Sequence, residues 1–516
     1  MNAYQLKFER KTLMKLNYKR TILVGFAFFL ISAFWQAYDA IVPLILANHF
    51  GLPETASGVV MSIDNILAVF MLPLFGALSD KIMTKFGKRT PFIVLGTVVA
   101  VAAFILLTVV NGLQLNSLMQ SGIVDRYRAE ASAHDVSIKA INEMFDKGMI
   151  TEALRDSQLA EAELAFDAAK EALRARALEL TLTNIWPLVG FIGVLLIVLV
   201  AMATFRSPAV ALMPDVTVKP LRSKGNAVIN LMGTAGGIII LAFSSIFGIT
   251  KDPYMSFTAY IVATCIIMIV GLVIFIATVK EKKWADEMEA DSKRLGLEDS
   301  AEEVANKDSG RVLGKEEMRS LFLILASVAL WYIGYNSITS KYSVYSTNVL
   351  GVNYGLTLIV AQAAAIVSYI PVGIIASKFG RRKTILAGVA MLATAFFIGN
   401  FISRGANPIV MYPIFALAGI GWATINVNSF PMVVELAKGG QVGKYTGYYY
   451  TASMAAQIVA PILSGLLYDL FTMRVMFFAF GTIFVAMSFV TMFFVKHGDA
   501  KPTAQSVVED GLGGED

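Results

Sequence analysis

Charged side chains lie inside long apolar stretches of this chain. The three in the first half that could do chemistry are Asp39, Asp64 and Arg206. A charge at the centre of a membrane-crossing helix costs about 2.5–3.5 kcal/mol on insertion scales, so such residues are expected to be functional. A carboxylate in a poorly hydrated cavity can take up a proton on one side of a membrane and release it on the other. These residue types predict a site for a polar solute and a driving cation.

The two acids are expected to have different roles. Asp64 is the predicted coupling acid, and Asp39 is predicted to accept a hydrogen bond from a substrate hydroxyl or to hold a second proton. The rise of a helix per residue places both acids at a similar height in the outer half of their spans. Arg206 lies only about 13 Å above Asp215, nearer the inner face, so no direct salt bridge to either acid is expected. The alternatives that remain open are a position at the wet end of the helix for Asp39 and for Asp64, and extension of Arg206 to the membrane surface.

Amides and aromatic rings supply the polar candidates of the second half. Amides can hydrogen-bond the polar groups of a solute, and flat rings can stack on its apolar face. The predicted substrate-binding residues there are Asn336, Gln362, Asn426, Asn428, Gln457, Trp331, Tyr335 and Tyr369. The alternative for each amide is a plain helix-to-helix hydrogen bond. Lys341 is expected to anchor the outer edge of its helix.

Long apolar segments must position these groups. The 516 residues are 56% hydrophobic and 16% charged, well below the charge of soluble domains. Segments of about 20 apolar residues can cross a bilayer. The spans predicted in the first half are 21–48, 56–79, 91–113, 185–213, 226–249 and 255–279. Those predicted in the second half are 319–341, 354–377, 384–403, 407–435, 445–468 and 474–496.

The segments between the spans define the predicted domains. These are a cytoplasmic tail (1–20), a first bundle (21–279) with an extracellular helical insertion (114–183), a cytoplasmic linker (280–318), a second bundle (319–497) and a cytoplasmic tail (498–516). Lys and Arg concentrate in the connectors assigned to the cytoplasm, so we expect a multi-pass plasma-membrane protein with both termini inside. In the insertion, Leu159, Phe166, Leu173 and Leu180 recur every seven residues. This seam favours a hairpin capping the outer mouth over a solvated spacer helix.

Two basic connectors, 76–91 and 373–383, occur at equivalent places about three hundred residues apart. Such repetition suggests two homologous bundles of membrane helices. A connector that merely sets topology would explain the charge but not the repeated glycine spacing. The predicted gating residues are Gly76, Asp80, Lys81, Gly87, Lys88, Arg89, Asp215, Gly373, Gly380, Arg381 and Arg382.

These connectors resemble the G-x-x-x-D-(R/K)-x-G-(R/K)-(R/K) signature of the major facilitator superfamily, with Ser377 replacing the acid of the second copy. The first copy, SDKIMTKFGKRTPFI, is similar to SDRxxxRFGRRRPFI of the sucrose–proton symporters and of the wider glycoside–pentoside–hexuronide cation symporters. The resemblance implies an all-α membrane protein with twelve transmembrane helices in two pseudo-symmetric six-helix bundles. It also implies secondary active transport by alternating access, with the connectors locking or releasing the cytoplasmic face.

A second stretch, PAVALMPD at 208–215, is similar to GPxRALLAD of the sucrose carriers, but Val210 stands in place of their arginine. Arg206, one helical turn earlier on the same face, is the candidate substitute. The sodium-coupled melibiose type carries an acid before the proline of the second span, and here Leu72 takes that place. We therefore expect a proton, rather than sodium, to drive uptake of a sugar such as a disaccharide or a glycoside.

Other classes fit the sequence less well. A drug or metabolite exporter of the same superfamily would carry a G-P motif in the fifth span, where residues 233–237 have no proline. A receptor or scaffold would not need membrane-embedded acids. We see no nucleotide loop, metal cluster or nucleophile–base pair, so we expect neither an enzyme nor a cofactor. We also expect no nucleic-acid partner, and a monomer is predicted.

Overall fold

A computed structural model describes residues 16–218, 221–249, 252–295, 314–402, 408–434, 436 and 442–497. The described residues form helices joined by short connections. The helices of the first half are α1 Tyr18–Val24, α2 Phe26–Leu44, α3 Glu54–Lys81, α4 Thr90–Gln120, α5 Ile123–Asp146, α6 Glu152–Thr183, α7 Trp186–Asp215, α8 Arg222–Ile246 and α9 Thr258–Thr278.

The remaining helices follow the first half in the chain. They are α10 Glu281–Leu295, α11 Lys315–Thr339, α12 Tyr354–Phe379, α13 Arg381–Gly399, α14 Pro408–Val434, α15 Val442–Phe471 and α16 Met473–Phe493. Residues 1–15, 296–313 and 498–516 lie outside the described part of the chain, and so do most of the predicted tails and part of the predicted linker.

The predicted twelve-span, all-α fold is confirmed. Within the described residues, eleven helices are long and apolar enough to cross a membrane, and α12 contains a shorter apolar stretch, Tyr354–Tyr369. Helices suit this role because lipid offers no partners to an unpaired backbone N–H or C=O group. Each observed helix overlaps its predicted span. Two spans are longer than predicted: the one expected to end at residue 341 continues to Leu350, and α4, expected to end near residue 113, runs on to Gln120 as the base of the insertion.

The insertion folds on itself as a helical hairpin made of α5 and α6. Phe166 and Leu173 of the predicted seam are buried, and they pack in a small core with Val124 and Tyr127 of α5. Because such a seam needs a partner, the heptad spacing correctly predicted this packing. We call the side of the molecule that carries α5 and α6 the hairpin face, and the side that carries the two basic connectors the motif face.

The two halves are joined closely at the hairpin face. At Gly58 of α3 an added methyl group would collide with the carbonyl oxygen of Pro461 on α15, and at Gly465 of α15 one would collide with Glu54 of α3. Small residues permit this close approach of helix backbones. The first helix of each half ends in a π-helical turn, Ile45–His49 and Tyr345–Leu350. Structurally matched turns in the two halves are what a repeated six-helix unit predicts.

Hydrogen bonds between amide side chains complete this closure. Asn348 donates to the amide oxygen of Asn48 at 2.7 Å, and Asn48 donates back at 3.3 Å. Gln362 of α12 donates to Gln36 of α2 at 3.0 Å. Toward the motif face, a groove of about 520 Å³ lies between α3, α7 and α15 and reaches Asp80. The described arrangement is therefore closed at the hairpin face and open toward the motif face.

Candidate functional site

A polar cavity of about 190 Å³ lies between the two halves, near the middle of the long helices. Both halves contribute to its wall. The lining residues are Trp35 and Asp39 of α2, Met61, Asp64 and Asn65 of α3, Arg206 of α7, Asn336 and Thr339 of α11 with the following Ser340, and Gln457 and Pro461 of α15. Five residues predicted from the sequence are thereby brought together: Asp39, Asp64, Arg206, Asn336 and Gln457. Cavities with a few convergent polar groups are the usual form of a small-molecule site.

The first half supplies the charges of the cavity. Asp64 accepts a hydrogen bond from the amide of the adjacent Asn65 at 2.8 Å. Arg206 lies over the ring of Trp35, with its guanidinium carbon 5.9 Å from the ring centroid, and it also acts electrostatically on Asp64. Arg206 thus shares the cavity with both acids, although helical rise placed it nearer the motif face. Asp39 likewise lines the cavity and does not face the outer mouth.

The second half supplies neutral polar groups. Asn336 donates to the backbone oxygen of Tyr332 at 2.8 Å, and Gln457 donates to that of Ser453 at 3.4 Å. Each of these bonds uses the amide nitrogen, so neither bond occupies an amide oxygen. Ser340 completes this wall. Within the described part of the chain its buried hydroxyl has no hydrogen-bond partner, and neither has the indole N–H of Trp35. Such groups are available to a ligand.

Six other predicted substrate residues lie outside the lining of this cavity. Gln362 bonds Gln36 across the two halves, and Asn428 donates to Thr424 on its own helix at 2.9 Å. Asn426 is buried, and Tyr369 is half-buried on α12. Trp331 is buried in contact with neighbouring rings, and Tyr335 stacks on Trp422 with a centroid distance of 6.0 Å. Their predicted role in substrate binding stays a prediction.

Sequence reasoning missed some residues that line the cavity. Trp35 precedes Asp39 by four positions, and Ser340 follows Asn336 by four, so each lies on the same helix face as a predicted residue. Asn65 is the neighbour of Asp64 in the chain. The i, i+4 rule applied to each predicted polar residue would have found the first two.

A buried ion pair closes the wall between the cavity and the hairpin face. Lys341 donates to the carboxylate of Glu54 at 2.6 Å and to its backbone oxygen at 3.0 Å. Arg174 of α6 pairs with the other carboxylate oxygen at 2.8 Å. Both Lys341 and Glu54 are almost fully buried. Lys341 therefore anchors its helix, as expected, but it does so through a buried ion pair with a carboxylate of the other half.

The carboxylate of Asp469 fixes the same helix end. It accepts hydrogen bonds from the backbone N–H groups of Glu54 at 2.7 Å and of Thr55 at 2.8 Å, and from the hydroxyl of Thr55 at 2.6 Å. A carboxylate at a helix N-terminus is favoured by the unpaired N–H groups and by the helix dipole. The end of α15 therefore caps the start of α3 across the two halves.

The first connector is held by a compact network on the motif face. Arg89 donates to Asp80 at 2.5 Å and to Asp215 at 2.8 Å. Burial alone would lower the pKa of Arg89, but the hydrogen bonds and charges of Asp215 and Asp80 outweigh it and raise that pKa. Lys81 lies exposed at the end of α3, and Gly76 lies one turn before Asp80. This network joins α3, the connector and α7 within the first half.

Glu281, at the start of α10, caps the same connector. Its carboxylate accepts from the backbone N–H groups of Lys88, Arg89 and Thr90 at 2.6, 2.8 and 2.7 Å. Gly87 has a φ of +120°, and a side chain there would collide with this carboxylate. The motif therefore requires glycine for both conformation and space. The sequence did not predict this partner, which lies about 190 residues away.

The second connector is built differently. Gly380 has a φ of +90° and precedes α13, whose first residue, Arg381, is buried. Arg382 donates to the backbone oxygen of Phe493 at the end of α16. Gly373 lies buried on α12, two turns before Gly380. In this half an arginine bonds a helix end, whereas Arg89 in the first half bonds two carboxylates.

Family models match both halves of the chain. One described as MFS/sugar transport protein matches residues 23–119, and one described as Major Facilitator Superfamily matches residues 353–511. An uncharacterized MFS-type transporter of Methanocaldococcus jannaschii is 20% identical over 181 residues, which are 35% of this chain and 46% of that protein. The chain thus spans about half the length of this curated relative in the match.

Solved structures share the fold at low identity. The xylose transporter XylE from E. coli, in an inward open conformation, matches with a TM-score of 0.55 and 12% identity over 94% of this chain and 98% of its own. The peptide transporter POT in complex with alafosfalin matches with the same TM-score and identity, over 92% of this chain and 93% of its own. Because family models of this superfamily match part of each half, the chain belongs to the major facilitator superfamily.

Proposed function

We propose that this chain is a proton-coupled symporter that works by alternating access. The proposed solute is a sugar, either a disaccharide or a glycoside. The observation that carries the proposal is the cavity lined from both halves. It offers carboxylate and amide oxygens, hydroxyl groups and a guanidinium to sugar hydroxyls, and the ring of Trp35 to an apolar sugar face. The match of residues 23–119 to a sugar-transport model supports the same solute class.

The charges of the cavity favour a cation as the driving ion. Asp39 and Asp64 contribute two negative charges when both are ionised, and Arg206 contributes one positive charge, which leaves a balance of −1. An uncompensated charge in a buried site is costly, and one bound proton removes it. Asp64 is the proposed coupling acid because Arg206 acts on its carboxylate, so that a proton and the arginine are alternative partners for the same charge. Asp39 is the proposed substrate-hydroxyl acceptor or second proton site.

The basic connectors give the proposed orientation. Lys81, Lys88, Arg381 and Arg382 lie on the motif face, and positively charged connectors are retained in the cytoplasm. The hairpin face is then extracellular, and the described arrangement faces inward in a multi-pass plasma-membrane protein with cytoplasmic termini. Each cycle opens the hairpin face and closes the motif face around the same cavity. The two connectors lock and release the motif face, and a single chain suffices for this cycle.

The direct test is a solute screen with the purified chain in proteoliposomes. Sugars, nucleosides and peptides would each be offered with an inward proton gradient, an inward sodium gradient or no gradient. We expect a disaccharide or glycoside to accumulate above its outside concentration with the proton gradient alone. Accumulation with sodium alone would overturn the coupling ion, and accumulation of another solute class would overturn the sugar.

A further inference from the structure

Helix α6 of the hairpin carries charged residues at positions 163, 167, 170 and 174. Steps of four, three and four residues place Glu163, Asp167, Lys170 and Arg174 along one side of a helix. The apolar seam of the same helix, with Phe166 and Leu173, packs against α5. The charged side adjoins this seam, since Lys170 lies over the ring of Phe166 at 4.8 Å from its centroid.

The base of α6 is fixed to the first half. At Gly51, which follows the first π-helical turn, an added methyl group would lie 2.5 Å from the backbone oxygen of Arg174 and from the backbone nitrogen of Leu178. Gln114 of α4 donates to the hydroxyl of Thr181 at 2.9 Å. Because the hairpin also continues directly from α4 and into α7, it must move with the first half.

The charged side of α6 reaches the second half. Arg474, at the start of α16, pairs with Glu163 at 2.5 Å and with Asp167 at 3.4 Å. Lys170 donates to the backbone oxygen of Asn348, in the second π-helical turn, at 2.6 Å. Toward the first half, Arg174 pairs with Glu54, which in turn holds Lys341 of the second half.

We propose that α6 is an ionic latch that holds the hairpin face closed. Its base is part of the first half and its charged side bonds the second half, so every opening of this face must break the contacts of Arg474 and Lys170. The latch lowers the population of the conformation that is open at the hairpin face. This inference rests on the alternating access proposed above, but it does not depend on the solute or on the driving ion.

The test measures opening without transport. Thr347 is buried beside Asn348 and becomes a reporter as Thr347→Cys in a Cys265→Ser background, with the full chain purified in detergent. Maleimide labelling then follows exposure of the hairpin face. Arg474→Glu should raise the labelling rate about two- to fivefold, the range for loss of partly exposed ion pairs. Adding Glu163→Arg should restore the slow rate, and 1 M KCl should raise it in the parent chain.

Arg128→Glu is the matched control. Arg128 pairs with Asp252 at 3.0 Å, so this change breaks an ion pair within the first half. We expect it to leave labelling unchanged. Equal labelling of the parent and Arg474→Glu, at low and high salt, would overturn the latch even if sugar uptake is found. If Arg474→Glu opens the face while no proton-driven uptake exists, the latch holds and the proposed function fails.

Discussion

Two groups of acids inside the helix bundle differ in how their charge is balanced. Glu54, near the hairpin face, is paired with Lys341 and Arg174, one cation on each carboxylate oxygen. Asp39 and Asp64 line a cavity that holds one arginine, Arg206. A fully paired buried charge can hold helix ends together, whereas a cavity with more acids than bases is suited to an exchangeable cation. Burial of an acid therefore does not by itself separate a structural role from a transport role.

Removing the charge of the proposed coupling acid should have the largest effect on transport. This change tests the role of the cavity acids. Asp64→Asn should abolish uphill accumulation, a loss of more than about tenfold in the concentration ratio, because an amide cannot load and release a proton. Exchange of labelled for unlabelled sugar should partly persist, since the amide still offers an oxygen to the substrate. Both are measured in proteoliposomes. Unchanged accumulation would remove Asp64 from the mechanism.

Breaking the paired acid should instead reduce stability. Glu54→Gln leaves Lys341 buried without its counter-charge, a change that costs about 3–5 kcal/mol for buried pairs. We expect a melting temperature several degrees lower, measured by scanning fluorimetry in detergent, with sugar still bound. Glu54→Gln combined with Lys341→Met should recover part of the loss. A normal melting temperature in the single variant would contradict a structural role for this pair.

A third acid, Glu281, is buried, and its negative charge is balanced mainly by backbone N–H groups. It therefore adds a third way of balancing a buried carboxylate to the comparison. Glu281→Gln should cost about 1 kcal/mol, the usual value of a helix N-cap, and loosen the first connector. The expected result is faster proteolysis at the connector, with a small drop in melting temperature. Glu289→Gln on the same helix is the control, since Glu289 is exposed and bonds only Lys293 among the partners described for it. Equal proteolysis of both variants would contradict the capping role.

The smallest effect is expected from a neutral group in the cavity. Trp35→Phe keeps an aromatic ring but removes an N–H group that would bond the substrate, a loss of about 0.5–1.5 kcal/mol. The KM for sugar should rise about two- to tenfold with little change in melting temperature. Trp186→Phe, at the exposed start of α7 and outside the cavity lining, should leave KM unchanged. A larger KM shift for Trp186→Phe than for Trp35→Phe would mean that the substrate binds elsewhere.

The sequence predicted those features that depend on local pattern. Apolar runs gave the twelve spans, because a helix in lipid must be long and apolar, and the heptad seam gave the self-packed hairpin. Polar residues in spans led to Asp39, Asp64 and Arg206, which share one cavity. The pairing of Glu54 with Lys341 could not be predicted, since the partners are 287 residues apart and belong to different halves. The bonds of Glu281 to the first connector were missed for the same reason.

The most direct test of proton–sugar symport follows protons themselves. Sugar is added to weakly buffered proteoliposomes that contain the chain, and the outside pH is recorded. A transient rise in outside pH, abolished by a protonophore and absent with Asp64→Asn, is the predicted result, because each sugar would carry a proton inward. Sugar entry with no change in outside pH would contradict the account.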